Sequence, residues 1–337
     1  MEIISNYDLT LLNTFGVPVH AKFFTEIRNE QDVESLFSSS EFQNNEKLFL
    51  GGGSNVLFTK DFEGFVILNK LKGIEILKEN KNFVFLKAYG GEMWHDLVSF
   101  AVDHGYWGIE NLALIPGSVG AAPMQNIGAY GAELKDVLES VEAFEIDTGL
   151  KKVFKNDECE LGYRDSIFKN KLKDKFFISA VILRLSKISK PNVSYKALSQ
   201  YLKQNKIETK NPKDISEAVA NIRRSKLPDP ALIGNAGSFF KNVFVNKEKL
   251  NELLKTYSDM PSFEEAGIIK IPAGWLIEQC GWKGKRVGNV GVHERQALVL
   301  VNHGGASGEE IENLALQIID SVFSKFGLRL VPEVNLI

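Results

Sequence analysis

Residues 108–131 read Gly-Ile-Glu-Asn-Leu-Ala-Leu-Ile-Pro-Gly-Ser-Val-Gly-Ala-Ala-Pro-Met-Gln-Asn-Ile-Gly-Ala-Tyr-Gly, a run rich in small residues and almost free of charge. Such a segment makes poor helix and poor strand. Its small side chains let the backbone approach a bound molecule closely, and glycine tolerates positive φ. The amides of Gln125 and Asn126 donate and accept at once. That suits a large, flat, polar-edged ligand such as a flavin. An earlier stretch, Gly51-Gly52-Gly53-Ser54-Asn55, follows the short apolar run Lys47–Leu50. Backbone N–H groups in such a turn can form an anion-binding nest for a pyrophosphate, and Ser54 and Asn55 add side-chain donors. The turn neither opens a helix as Gly-x-Gly-x-x-Gly nor ends in Lys-Ser/Thr, which argues against a Rossmann or Walker loop.

Other residues have chemistry to offer. Ser238 sits in Gly237-Ser-Phe-Phe-Lys-Asn242. A serine hydroxyl is a poor acid in water and donates a proton only when its neighbours activate it. Arg164 precedes Asp165. Its guanidinium could hold a carboxylate through two N–H bonds, although the ordinary fate of such a dipeptide is a surface ion pair. Glu333, between Pro332 and Val334, would have its pKa raised by burial among apolar neighbours; the ordinary fate of a glutamate near a chain end is solvation. Arg223, Arg224 and Lys226 close a helical pattern, where cations favour the helix dipole. The five histidines show no ligand-like spacing. No catalytic metal is expected, and His293 is expected to be positional.

Several elements must carry these residues. Lys47–Leu50 and 65–68 read as strands, and Ile74–Lys78 with Phe83–Ala88 as a hairpin. Glu92–His104 has helical spacing at Trp94, Leu97, Val98 and Ala101 and ends at Gly105. Val137–Ile146 and Phe176–Leu185 read as strands. Asp214 and Glu217 read as a capping box opening a helix with the stripe Ile215, Ala218, Val219 and Ile222. Leu227-Pro-Asp-Pro230 breaks that helix and marks a domain boundary. Ser307 and Glu310 cap a helix running to Phe326 and stopped by Gly327, and 328–337 reads as a final strand. Strands and helices mix without a repeating βαβ rhythm, so the class is α+β.

Composition narrows the function. The 337 residues, 44% hydrophobic and 25% charged, suit a globular protein of two or three domains. A net charge of −3 gives no basic footprint, so nucleic acid is not an expected partner. Cys159 and Cys280 form no close-spaced motif and fit a reducing cytoplasm. Met1–Thr10 does not read as a signal peptide. The apolar run 176–183 is too short to span a bilayer. We expect a cytoplasmic monomer with no membrane insertion.

Further motifs follow in chain order: Leu161-Gly-Tyr-Arg-Asp-Ser166, Arg223 with Lys226-Leu-Pro-Asp-Pro230, Gly234-Asn-Ala-Gly-Ser-Phe-Phe-Lys-Asn242, Ile271-Pro-Ala-Gly-Trp-Leu-Ile-Glu-Gln-Cys280, Val292-His-Glu-Arg-Gln-Ala-Leu-Val299 and Pro332-Glu-Val334. Each is weakly specific alone. Together with the two glycine segments they resemble, from about residue 10 to the end, the UDP-N-acetylenolpyruvoylglucosamine reductase (MurB) family in its type I form. The resemblance implies an α+β architecture: a two-part FAD-binding region of the vanillyl-alcohol-oxidase-like (PCMH-type) fold plus a smaller α+β substrate-binding domain. Residues 1–70 with 328–337 would form the first FAD-binding subdomain, 71–227 the second, and 228–327 the substrate-binding domain. Noncovalent FAD would be held by Gly51, Gly52, Gly53, Ser54, Asn55, Val56, Ile115, Pro116, Gly117, Ser118, Gly120, Ala121, Gln125, Asn126, Ile127, Gly128, Tyr130 and Gly131. The histidine through which some relatives of the fold attach FAD is absent, Ser54 and Asn55 standing in that segment.

The resemblance also implies NADPH as co-substrate and UDP-N-acetylglucosamine enolpyruvate as substrate, reduced to UDP-N-acetylmuramate for peptidoglycan. Hydride would reach C3, Ser238 would protonate C2, and Arg164 and Glu333 would serve the substrate carboxylate as charge builds. Tyr195, Arg223, Lys226, Asn242 and Gln296 would contact the sugar nucleotide, Lys226 near its pyrophosphate or the NADPH phosphates. One shared site for both substrates predicts ping-pong kinetics. The chain departs from the family where a proline after Asn242 is replaced by Val243, and in the loop at about 257–268, which offers Tyr257 and Phe263 as substrate-lid residues. Two other readings remain open: an oxidase of alcohols or sugars on the same fold, and a noncatalytic binder of FAD or sugar nucleotides.

Overall fold

The computed structural model describes residues 1–265 and 267–337, and the chain divides into two compact units. The first comprises 1–7, 21–53 and 62–225; the second comprises 8–20, 54–61 and 226–337.

The first unit holds two sheets. One is built from β1 (Ile4–Asp8), β2 (His20–Ile27), β3 (Lys47–Leu50) and β5 (Phe62–Asn69), in the order β1-β2-β5-β3; the short β4 (Val56–Leu57) falls in the second unit. β2 and β3 both run parallel to β5. The helices α1 (Glu30–Phe37) and α2 (Ser40–Asn44) lie on the connection from β2 to β3. β5 reads Phe-Val-Ile-Leu over 65–68 with all four side chains buried. A continuous apolar run of this kind is what a parallel strand covered on both faces requires. Only one of its parallel connections, β2 to β3, is helical, and without a βαβ repeat the α+β class stands while a small parallel sheet inside it escaped the sequence pattern.

The second sheet of this unit is antiparallel and five-stranded. It comprises β6 (Ile74–Glu79), β7 (Phe83–Tyr89), β10 (Leu138–Glu145), β11 (Lys151–Lys155) and β12 (Phe176–Ser186), in the order β11-β10-β12-β7-β6. Between β7 and β10 run α3 (Trp94–Asp103) and a small hairpin, β8 (Gly128–Ala129) with β9 (Ala132–Glu133). The β6–β7 hairpin appears where expected, its turn closed by Asn80 Oδ1 accepting from the N–H groups of Asn82 and Phe83. In β7, Val84, Leu86 and Ala88 are fully buried at period two, against α3, whose Trp94, Leu97, Val98 and Ala101 form the opposing face. One apolar cluster packs the antiparallel sheet against α3, and a second is shared by both sheets, with Phe65 and Ile67 of β5 beside Phe144 of β10 and Phe177 of β12.

The unit closes with α4 (Lys196–Gln204) and α5 (Pro212–Lys226). Here the sequence expectation needs correction. Asp214 is not the N-cap: α5 begins at Pro212, Asn211 Oδ1 accepts from Asp214 N at 3.1 Å, and Asp214 Oδ2 accepts from Asn211 N at 3.0 Å. The reciprocal cap is therefore Asn211 with Asp214. Proline, lacking an N–H and preset near helical φ, takes the first helical position.

The second unit contains β13 (Val243–Val245), α6 (Lys247–Thr256), β14 (Phe263–Glu265), β15 (Ile268–Ile271), α7 (Ala273–Gln279), β16 (Arg286–Val287), β17 (Val290–Val292), β18 (Leu300–Asn302), α8 (Gly308–Phe326) and β19 (Asn335–Leu336). They form two antiparallel sheets, β13-β15-β14 and β16-β17-β18, with β19 running parallel to β4. The Ser307/Glu310 capping box and the left-handed Gly327 stop (φ +63°) are as the sequence predicts. The final strand is shorter than expected: only 335–336 is strand, the preceding segment pairing piecemeal through Phe240 with Pro332 and Glu333 N with Phe239 O. In the expected lid region, residue 266 lies outside the described residues. Tyr257 packs its ring 4.7 Å from Phe326 and donates its hydroxyl to Lys325 O, whereas Phe263, on edge strand β14, is 52% exposed.

Candidate functional site

The two glycine segments meet inside the first unit. β3 delivers the chain into Gly51-Gly52-Gly53, where Gly53 has φ +61°. A Cβ on Gly51 would collide with Ser118 Oγ, and one on Gly52 would lie 2.9 Å from Gly117 Cα. The two backbones touch with no room for side chains between them. Ser118 Oγ is buried and has no hydrogen-bond partner among the described residues. A glycine cradle with an orphaned buried hydroxyl fits an oxygen-rich ligand such as the pyrophosphate of FAD. Gly52→Ala is expected to push Gly117 out of place and weaken FAD retention by about 1–3 kcal/mol, the usual cost of overpacking; flavin content per protein would read it.

The second segment is held by α3. Trp94 N donates to Gly117 O (2.9 Å), Trp94 Nε1 to Leu112 O (3.1 Å), and Val119 N to Glu92 O (2.8 Å). Leu114 N donates to His95 Nδ1 at 3.2 Å. Gly120 packs on Gly90, its N–H bonded to Gly90 O at 2.9 Å. Asn126 is fully buried at φ +45°. Its amide nitrogen donates to Glu133 Oε2 and Gly162 O, and its oxygen accepts from Lys135 N. Both amide protons of Asn126 are thus used within the protein, making this side chain a brace for the segment.

Tyr130 and Gly131 are the two central residues of the β8–β9 hairpin, at φ +49° and +84°. Two consecutive positive φ values define the turn whose twist suits a two-residue hairpin. The strain at Tyr130 is locked in by Asn111, which donates to Tyr130 O, and by Asn192, which donates to Gly131 O. This presents Tyr130 edge-on to Tyr195, with ring centroids 5.3 Å apart. Burial lowers the pKa of Arg223, Tyr130 opposing that shift and the Arg164 cation adding to it. Burial likewise raises Tyr130, with Arg223 opposing. Arg223 Nε is buried without a hydrogen-bond partner among the described residues. Arg164 itself sits at φ +53° and donates from Nη2 to Gly128 O at 3.0 Å, while Asp165 accepts from Asn170. Tyr130, Arg164, Tyr195 and Arg223 therefore form one electropositive, ring-lined group in the first unit. A carboxylate or phosphate is the chemistry it can hold.

Within the second unit, Ser238 follows Gly237 (φ +66°), whose N–H is held by Asn235 Oδ1. Phe239 and Phe240 are fully buried and anchor the segment. Ser238 bridges to Val299 on one side, and on the other Glu333 N donates to Phe239 O at 2.7 Å. Ser238 and Glu333, far apart in sequence and both half-buried, thus lie on neighbouring extended segments. Asn55, at the end of the glycine turn, donates to Glu333 O; Ser54, Asn55 and Val56 belong to this unit. Asn242 Oδ1 accepts from Ala273 N at the start of α7, and a Cβ on the adjacent Gly274 would lie 3.3 Å from Gln296 Oε1. Lys226, at the end of α5, is exposed, and His293 Nδ1 accepts from Arg295 N. Cys159 is excluded as a nucleophile, since burial pushes its thiol up to about 12. No group of three or more metal-binding side chains occurs among the described residues.

Sequence reading missed His95, Asn111, Asn192 and Asn235. Only Asn235 carried a local signal, the Asn-x-Gly of an Asx turn. The others act on residues distant in sequence.

An FAD binding domain model matches residues 21–151. With the cradle and the mixed fold, it makes this chain an FAD-dependent oxidoreductase with a PCMH-like FAD-binding region. The model of the UDP-N-acetylenolpyruvoylglucosamine reductase C-terminal domain matches residues 229–337. The chain is 47% identical over its whole length to the UDP-N-acetylenolpyruvoylglucosamine reductase of Flavobacterium johnsoniae, covering 100% of both proteins. It is 48% identical, with the same full coverage, to that of Amoebophilus asiaticus. The crystal structure of UDP-N-acetylenolpyruvylglucosamine reductase (MurB) from Thermus caldophilus shares the fold at TM-score 0.64 and 23% identity, over 99% of this chain and 98% of that one. The chain belongs to the UDP-N-acetylenolpyruvoylglucosamine reductase family.

Proposed function

We propose that this protein reduces UDP-N-acetylglucosamine enolpyruvate to UDP-N-acetylmuramate with NADPH, in peptidoglycan precursor synthesis. The observation that carries the reading is the placement of Ser238 and Glu333 on neighbouring segments of one unit, joined by the bond from Glu333 N to Phe239 O, in a chain that also keeps Arg164 and a glycine cradle suited to FAD. FAD would be held noncovalently by the Gly51–Gly53 turn and residues 115–131, with Gly51, Gly52, Gly117 and Ser118 at the closest approach. Bound there, it would supply the hydride-transfer chemistry between NADPH and C3 of the enolpyruvyl group that no side chain offers.

The remaining chemistry belongs to the chain. Arg164 pairs with the substrate carboxylate, and a fixed cation there stabilises charge as it develops on C2 and that carboxylate. Ser238 gives its hydroxyl proton to C2, so the double bond gains one hydride and one proton. Glu333 serves the same carboxylate as charge builds. Lys226 lies near the substrate pyrophosphate or the NADPH phosphates, and Tyr195, Arg223, Asn242 and Gln296 contact the sugar nucleotide. Residues 1–70 with 328–337 act as one FAD-binding subdomain and 71–227 as the other, with 228–327 as the substrate-binding domain. A cytoplasmic, monomeric enzyme with no nucleic-acid partner is part of the same proposal; no helix among the described residues is long and apolar enough to cross a membrane.

The test is anaerobic. The yellow protein should bleach with NADPH and recolour on adding the enolpyruvyl sugar nucleotide. Bleaching without recolouring would move the reading to another acceptor, such as that of a sugar or alcohol oxidase. A colourless protein that cannot be reconstituted with FAD would overturn it at its base.

A further inference from the structure

We propose that His95 is a positioning residue for the flavin cradle, acting as a neutral hydrogen-bond acceptor, so that acidification loosens residues 112–119 and releases FAD. The inference rests on the FAD reading above.

The first turn of α3 and Glu92, just before its cap, grip the 112–119 segment at four points. Three are independent of protonation: Trp94 Nε1 to Leu112 O, Trp94 N to Gly117 O, and Val119 N to Glu92 O. The fourth is Leu114 N to His95 Nδ1 at 3.2 Å. An accepting Nδ1 carries no proton, so the ring is the neutral Nε2–H form. Leu114 is a bulky residue at φ +56°, a conformation that persists only when its surroundings hold it. Among the described residues, His95 Nδ1 is the acceptor for that N–H, and the bond lies immediately before Ile115-Pro116-Gly117-Ser118, the strip that meets Gly51 and Gly52.

Protonating His95 would remove the acceptor and turn a donor against the Leu114 N–H. The charged groups facing the ring are Asp96 on its own helix and Arg223 and Arg224 from α5. Burial holds the imidazole below the ordinary histidine value; the two arginines act in the same direction and Asp96 against them. The neutral form therefore prevails at neutral pH. Its contribution is present above the ordinary histidine pKa and is lost as pH falls through the depressed one.

The test uses holoprotein and reads FAD release as recovery of free-flavin fluorescence on dilution, from about pH 8 to about pH 5, with circular dichroism reporting that the chain stays folded. Wild type should release FAD on acidification. His95→Asn places a non-titrating oxygen close to where Nδ1 lies; it should hold FAD at neutral pH and show no acid release. His95→Phe lacks the acceptor and should bind FAD about tenfold more weakly at every pH, the scale of one lost hydrogen bond. Acid release persisting in His95→Asn, no acid release in wild type, or wild-type affinity in His95→Phe would each overturn the proposal. A wild-type protein that takes up no FAD at neutral pH would instead fail the flavoprotein reading beneath it.

Discussion

Ser238→Ala is expected to lower turnover by about 10²- to 10⁴-fold, the usual worth of a positioned general acid, while FAD stays bound and NADPH still bleaches it. Few substitutions would separate the two halves of the reaction so cleanly. The change removes one oxygen from a half-buried position whose backbone is fixed by neighbours. Gly237 supplies the left-handed turn, Asn235 holds its N–H, and the buried rings of Phe239 and Phe240 fasten the chain beyond. The fold should therefore survive. Stopped-flow measurement of each half-reaction reads the effect. The expected pattern is an unchanged rate of reduction by NADPH and a slow return of colour with the enolpyruvyl substrate. Unchanged overall turnover would show that another group protonates C2. Loss of both half-reactions would mean that the hydroxyl shapes the site and is not the acid.

Arg164→Ala should cost about 10²- to 10³-fold in kcat, comparable to deleting one group that stabilises developing charge. The loss should fall on kcat more than on KM, because the cation matters most as charge accumulates. Arg164→Lys should recover part of it, retaining the charge without the two-pronged fork. The residue has a second contact, Nη2 to Gly128 O, and this supplies the control. If Arg164→Ala also loses its FAD, the side chain braces the 126–131 segment and its assignment to the substrate carboxylate fails. If FAD remains and only the second half-reaction slows, the carboxylate role holds.

The clustering of Arg164 with Arg223, Tyr130 and Tyr195 was not visible in the sequence. Arg223 read there as a helix-ending cation, which is sufficient for its position on α5. Only the fold adds Tyr130, set in place by a strained hairpin that Asn111 and Asn192 secure from distant segments. Asn126 shows the reverse case. Its type suggested a ligand contact, yet its amide protons are taken up by Glu133 and Gly162. A hydrogen-bonding side chain advertises capacity, and only the tertiary structure says where that capacity is used.

Local chemistry settled much by itself. Period-two burial in β7, the Asn80 turn, the Ser307 capping box and the Gly327 stop all depend on residues within a few positions of one another, so the chain's own spacing determines them. The two glycine segments were legible for the same reason, since runs without side chains mark backbone that must pass close to something. What that something is within the protein, Gly117 and Ser118 against Gly51 and Gly52, depended on β3 and α3 delivering distant segments to one place. The placement of Glu333 on the segment beside Ser238, the parallel contact of β19 with β4, and the grip of His95 on Leu114 are likewise long-range. Their formation is driven by burial of the apolar faces between them, a force proportional to area and indifferent to sequence separation, and so no local pattern announces them.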